Sequence, residues 1–273
     1  MWKLIKMDFY RFFSSKTIKV GAFMACLMSV AYTLLSLGII ALVKFAAKED
    51  PSMVEGWGLF IPQAEWLAGV NLSEVILGGT SALALFIGCM MTANFIGSEQ
   101  SCGYTKNFAG QLTDKGYMAV SKFIVTSVGQ TIILALYVVV VGASARLMLG
   151  KYITGFDVKS LLLALALRLI LHIAINSMIV FVCTLTKSHA IAMIAGCIFG
   201  LGITKAAYVS ASMLLSAVKI NIDIINYMPD GINSQISLYT AGGLTQKAIV
   251  VSVVFIIGFI ASTYYVLRNR DVK

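Results

Sequence analysis

The sequence predicts an all-α membrane protein with six transmembrane helices. An amphipathic N-terminal helix precedes them in the membrane plane, and a short cytoplasmic helix lies between spans two and three. Three observations carry this expectation: long charge-free runs, an uneven distribution of Lys and Arg, and an amphipathic pattern in residues 1–19. Only 12% of the 273 residues are charged, where a soluble domain has roughly 25%. A bilayer crossing needs about 20 apolar residues, and Val20 to Val43 supplies 24 without a charge.

Further runs of similar character place the spans at 20–43, 75–97, 123–145, 161–183, 190–217 and 248–267. They form one transmembrane domain over 1–273, with no soluble domain attached. The first span is longer than the about 7–15 apolar residues of a signal-peptide core. No A-x-A-like site follows it, so it is expected to stay as a signal anchor.

Orientation follows from the basic residues of the loops. With the N-terminus inside, the inner segments carry 12 Lys and Arg against four acids. The outer segments carry seven against eight. Both termini are therefore expected in the cytoplasm. The net charge of +9 reflects this topology and calls for no nucleic-acid partner.

In residues 1–19, Trp2, Ile5, Phe9, Phe12 and Phe13 recur at helical spacing, with Lys3, Lys6 and Lys16 over much of the rest. Such a helix lies at the headgroups, aromatics down and cations against anionic lipid. A simple basic flank of the first span is the alternative. The outer segment 44–74 carries Trp57 and Trp66, which suit an interfacial belt. Cys26, Cys89, Cys183 and Cys197 fall in spans and Cys102 in an inner loop, so no disulfide framework is expected. Gly78-Gly79-Thr80 and Gly200-Leu201-Gly202 sit within spans as small residues that permit close helix contact.

The loop from Ile96 to Lys122 is the most informative stretch. It is polar and longer than a reversal needs, so it has room for a short helix across the cytoplasmic end of the bundle. Within it, Glu99, Gly103 and Lys106 are followed by Lys115 and Lys122. A Glu, a Gly four residues on, then basic residues before span three resemble the ABC transporter type-2 permease family. Small permeases that export lantibiotics or bacitracin, or protect against them, belong to that family. The in-plane helix and six spans resemble its layout too. A Pro common before the second basic position is absent, and Leu112-Thr113-Asp114-Lys115 stands there.

The resemblance implies a permease subunit in a bacterial plasma membrane that docks two copies of a separate ABC ATPase through a coupling helix in 98–116. A second permease chain, the same or homologous, would complete the path. This chain has no G-x-x-x-x-G-K-[ST], so ATP and Mg would be bound by the partner ATPase. The chain itself is expected to be no enzyme and to hold no cofactor.

Span four carries Arg168, His172 and Asn176 at i, i+4 and i+8, on one helix face. Such residues face a cavity or the bundle interior. They form either a stripe along a subunit interface or exit path, or a snorkelling Arg168 above two residues that bond a neighbouring helix. Lys205 is expected to snorkel from the outer end of span five. With His189 the only other histidine, a metal site is not expected. Around Met228-Pro229-Asp230-Gly231 the outer segment signals a turn; by resemblance it dips into the membrane as short helices. A secondary transporter would want acidic residues within the spans, which contain no Asp. An intramembrane hydrolase would want a nucleophile and base, and neither G-x-S-x-G nor H-E-x-x-H occurs.

Overall fold

A bilayer interior offers backbone groups no water, so each segment that crosses must bond to itself as a helix. That constraint overrides local propensity: the β-branched run Val138–Val141 is helical throughout. The structure, a computed structural model, describes residues 1–49, 70–103, 114–217, 223–240 and 242–269.

Helix α1 spans Trp2–Ser14 and α2 spans Lys16–Glu49, joined at Ser15 alone. The second crossing is α3, Leu72–Gly79, then a π-helical turn, Thr80–Ala84, then α4, Leu85–Ser101. Helices α5, Tyr117–Met148, and α6, Val158–Thr186, follow. Next come α7, His189–Gly200, and α8, Thr204–Ala217. A short α9, Pro229–Gln235, precedes the last helix α10, Gly242–Asn269. Among the described residues, five helical stretches are long and apolar enough to cross a membrane, or six when α7 and α8 count as one. The chain is a multi-pass membrane protein by helix length and hydropathy.

Several helices outrun the predicted spans. Helix α2 has 34 residues, about 51 Å at 1.5 Å per residue, well beyond the ~30 Å hydrocarbon core. Strands β1, Val70–Asn71, and β2, Ile153–Gly155, pair in parallel at the end of the bundle opposite α1. Asn71, part of the N-x-S sequence, caps α3 by accepting a 2.9 Å bond from the Ser73 amide. Asp157 caps α6, accepting bonds from the Ser160 amide at 3.2 Å and its hydroxyl at 2.6 Å. These bonds hold the Asp157 carboxyl below the usual carboxylate range.

Span five corrects the expectation of one helix over 190–217: the axis bends by 68° between α7 and α8. Gly202 has φ +69°. Its amide bonds the Phe199 carbonyl at 3.3 Å, and the Ile203 amide bonds the Ile198 carbonyl at 3.1 Å. Those two bonds around a left-handed residue form a Schellman stop, which satisfies the last carbonyls of α7. Gly200, two residues earlier, lies against Phe86 so closely that an added Cβ would sit 2.7 Å from its Cα. One glycine admits the neighbouring helix and the other ends its own. Lys205 accordingly sits in the first turn of α8, beyond the bend.

Helix α6 is the hub, packing against α4, α5, α7, α9 and α10. Its buried face includes Leu171, Ile175, Ile179 and Cys183. By contrast α10 buries only Ala248, Ser252 and Thr263, and α8 buries no residue. Helices α8 and α10 are peripheral.

The Asp157 cap predicts an acid-dependent loss of stability. Its folded pKa is depressed, so its contribution is present at neutral pH and disappears as pH falls through that lowered value. Asp157→Asn keeps a capping oxygen without the titration. In thermal unfolding in detergent, the wild-type advantage over Asp157→Asn should shrink from pH 7 toward pH values below about 3.9. A constant difference across that range would remove Asp157 from the pH response.

Candidate functional site

Two polar assemblies stand out, one at the α1 end of the bundle and one in its interior. At the α1 end, Glu99 is 2% exposed. Its Oε1 lies 2.9 Å from Arg11 Nη1, and its Oε2 is in direct contact with Lys122 Nζ. Arg11 also lies 3.6 Å from Asp8. Asp8 in turn accepts a 2.5 Å bond from the Ser121 hydroxyl. Two acids and two bases from α1, α4 and α5 thus form one balanced network, buried except at the half-buried Arg11. A buried charge is tolerated only when paired and hydrogen-bonded, and here each charge has an opposite neighbour.

The network depends on how α1 packs. Leu4, Ile5, Asp8 and Phe12 make its buried face. Phe12 is fully buried and meets Phe95 edge-on, ring centroids 5.0 Å apart. Trp2 and Phe13 remain exposed. The aromatic residues read as one lipid-facing stripe therefore divide between the bundle and the surface.

Glu99 and Lys122 are buried members of α4 and α5, so the loop between these helices is shorter than the predicted 98–122. Gly103 follows α4 with φ +67°. Lys106 and the segment 104–113, with the predicted coupling helix, lie outside the described residues. Lys115 sits in the turn that leads into α5, where its carbonyl accepts from the Met118 amide at 3.1 Å. Beside it, Asp114 accepts a 2.8 Å bond from the Gly116 amide and a bond from the Tyr264 hydroxyl of α10. These two bonds, Tyr264 foremost, hold the Asp114 carboxyl below its ordinary range.

In the interior, the face formed by Arg168, His172 and Asn176 points into the bundle, each residue at most 3% exposed. Arg168 donates from Nη1 to the Leu77 carbonyl and, at 2.5 Å, to Thr80 Oγ1. Its Nη2 donates to the Ile236 carbonyl at 2.9 Å. Arg168 does not snorkel; it ties α6 to the π-helical turn and to the chain just beyond α9. Asn176 accepts from Thr92 at 2.7 Å and donates to Thr126 and Ser127 at 2.9 and 3.1 Å. His172 Nδ1 lies 3.3 Å from Gln130 Nε2. The stripe joins α6 to α3, α4 and α5 within this one chain.

Near the opposite end, Asp230 of α9 is 2% exposed and accepts a bond from Thr204 of α8. His189 bonds Asn94 of α4 at 3.0 Å. Among the described residues no three His, Cys, Asp or Glu side chains gather to hold a metal ion. No protein-family model matches the chain, and no curated protein matches it.

Sequence reasoning passed over Asp8, Arg11 and Asp230. Asp8 carried a signal: it lies four residues from both Leu4 and Phe12, an acid in the middle of an apolar face. Arg11 lay among basic residues assigned to lipid, and Asp230 in a stretch read as a turn.

The network predicts strong coupling between Glu99 and Lys122. Glu99→Gln leaves Lys122 buried without its closest partner and should cost about 3–5 kcal/mol. Glu99→Gln with Lys122→Met should recover much of that loss in denaturant unfolding. Additive losses would show that the pair is not coupled. Arg168→Leu should lower the unfolding temperature, because each carbonyl left unpaired costs about 1–3 kcal/mol. An unchanged or raised midpoint would mean that these bonds contribute nothing net.

Proposed function

We propose that the chain is the membrane subunit of an ATP-driven exporter and works with a separate ATPase that binds ATP and Mg. One observation carries this reading: the inner loop is anchored at both ends to several helices. Where α4 ends, Glu99 holds α1 through Arg11 and α5 through Lys122. Where α5 begins, Asp114 holds α10 through Tyr264. A push on the segment between these anchors reaches four helices together. That is what a docked ATPase requires of its membrane partner.

The first and last described helices both meet this end of the bundle, α1 through Arg11 and α10 through Tyr264. A bundle whose first and last helices meet one side crosses an even number of times. Six crossings satisfy this when α7 and α8 together make one. The excess of basic residues supports the reading that this side is cytoplasmic. Two such chains would enclose the path. The resemblance supplies the cargo class, antimicrobial peptides or other amphipathic molecules, and adaptable Met side chains suit it.

A second reading, a transporter driven by an ion gradient, is favoured by Asp230. It is an acid buried beside a broken crossing, and such residues mark ion and proton pathways.

Purification in mild detergent from native membranes should bring down a near-stoichiometric soluble protein with a phosphate-binding loop. Tyr264→Phe should leave that association intact while lowering ATPase stimulation. Isolation of the chain alone across several detergents, with transport that follows an ion gradient, would replace the first reading by the second.

A further inference from the structure

A cleft of about 380 Å³ opens on the bundle exterior between α2 and α4, with Met193 of α7 also lining it. Its two long walls agree in polarity. Along α2 the lining runs from Lys16 and Thr17 to Met24. Along the antiparallel α4 it runs from Asn94 back through Met90 to Phe86. Each wall covers nine residues, about 12 Å over eight rises of 1.5 Å. The polar residues of both walls lie at the α1 end and the apolar residues lie deeper. Half of the ~30 Å hydrocarbon core is about 15 Å, so the cleft follows most of one leaflet.

Below its mouth the cleft is lined by apolar side chains, and the thioethers of Met24, Met90 and Met193 adapt to a flexible acyl chain.

The mouth defines the headgroup. Thr17 and Asn94 bond each other at 3.2 Å, and Asn94 bonds His189 at 3.0 Å, so these groups are satisfied. Lys16 is exposed at the first position of α2, whose opening turn holds no acid. Among the described residues no carboxylate lies within ion-pair distance of Lys16. An ammonium at the positive end of a long helix attracts a phosphate. We propose that this cleft holds one acyl chain of an anionic phospholipid from the leaflet on the α1 side, its phosphate against Lys16. The site is independent of any ATPase partner.

The full chain, exchanged into bilayer discs of equal phosphatidylglycerol and phosphatidylcholine, tests this by native mass spectrometry of the retained lipid. Phosphatidylglycerol should be preferred by about fivefold, the weight of roughly 1 kcal/mol for one lysine at an anionic surface. Lys16→Gln should erase the preference while lipid is still retained. Met90→Trp should fill the cleft and abolish retention. Val20→Trp, at an exposed position on the rim, should do the same without touching the core. Equal retention of both lipids by wild type would overturn the proposal, as would a preference that survives Lys16→Gln and both Trp variants. A photo-crosslinker at Met193 should label lipid; capture of a second copy of the chain would mean that protein covers the cleft.

Discussion

The bundle is organised around the guanidinium of Arg168 and the two polar residues below it on α6. In hydrocarbon an arginine must find its partners inside the protein. Here it reaches the π-helical turn of span two and the chain beyond α9. His172 and Asn176 extend the same logic toward the α1 end, using Gln130, Thr126 and Thr92. Apolar surface does not distinguish a helix neighbour from lipid, so packing alone specifies few contacts. The polar face of α6 supplies the specificity by fixing the rotation of three neighbouring helices.

A second restraint acts at the α1 end of the bundle. The network of Asp8, Arg11, Glu99 and Lys122 has no net charge, and that balance lowers the cost of burying it. It contributes position more than affinity, since two buried ion pairs repay desolvation only with good geometry. Phe12 does the complementary apolar work, wedged against Phe95 and close to Gly129. Helix α1 is therefore built into the bundle on one side and faces its surroundings through Trp2, Tyr10 and Phe13 on the other.

The crossings were legible because length and charge exclusion are one-dimensional properties. Val20–Val43 needs no partner to be recognised. The partners of Glu99 were not legible, because Arg11 lies 88 residues before it and Lys122 lies 23 after it, and a loop-like composition surrounds the acid. The face of α6 was readable as a face, since i, i+4, i+8 spacing fixes a direction. What it met was unreadable, because the Leu77 and Ile236 carbonyls are backbone atoms that any sequence carries. The bend at Gly202 was within reach: Gly-x-Gly in an apolar run was read as a packing surface, and its second glycine is a helix stop. Lys106 and the predicted coupling helix fall outside the described residues.

The π-helical turn has a consequence for how span two tolerates change in length. A π turn carries one residue more than an α turn, so Thr80–Ala84 behaves as a single-residue insertion that has been absorbed. Removing one residue there would restore a continuous α-helix, and local hydrogen bonding would improve. The first half, Leu72–Gly79, would then rotate by about 100° relative to Leu85–Ser101. The Leu77 carbonyl would swing away from Arg168, and Asn71 would lose its alignment with the Ile153–Gly155 strand. Span two keeps a locally poorer helix because its two ends must face different directions.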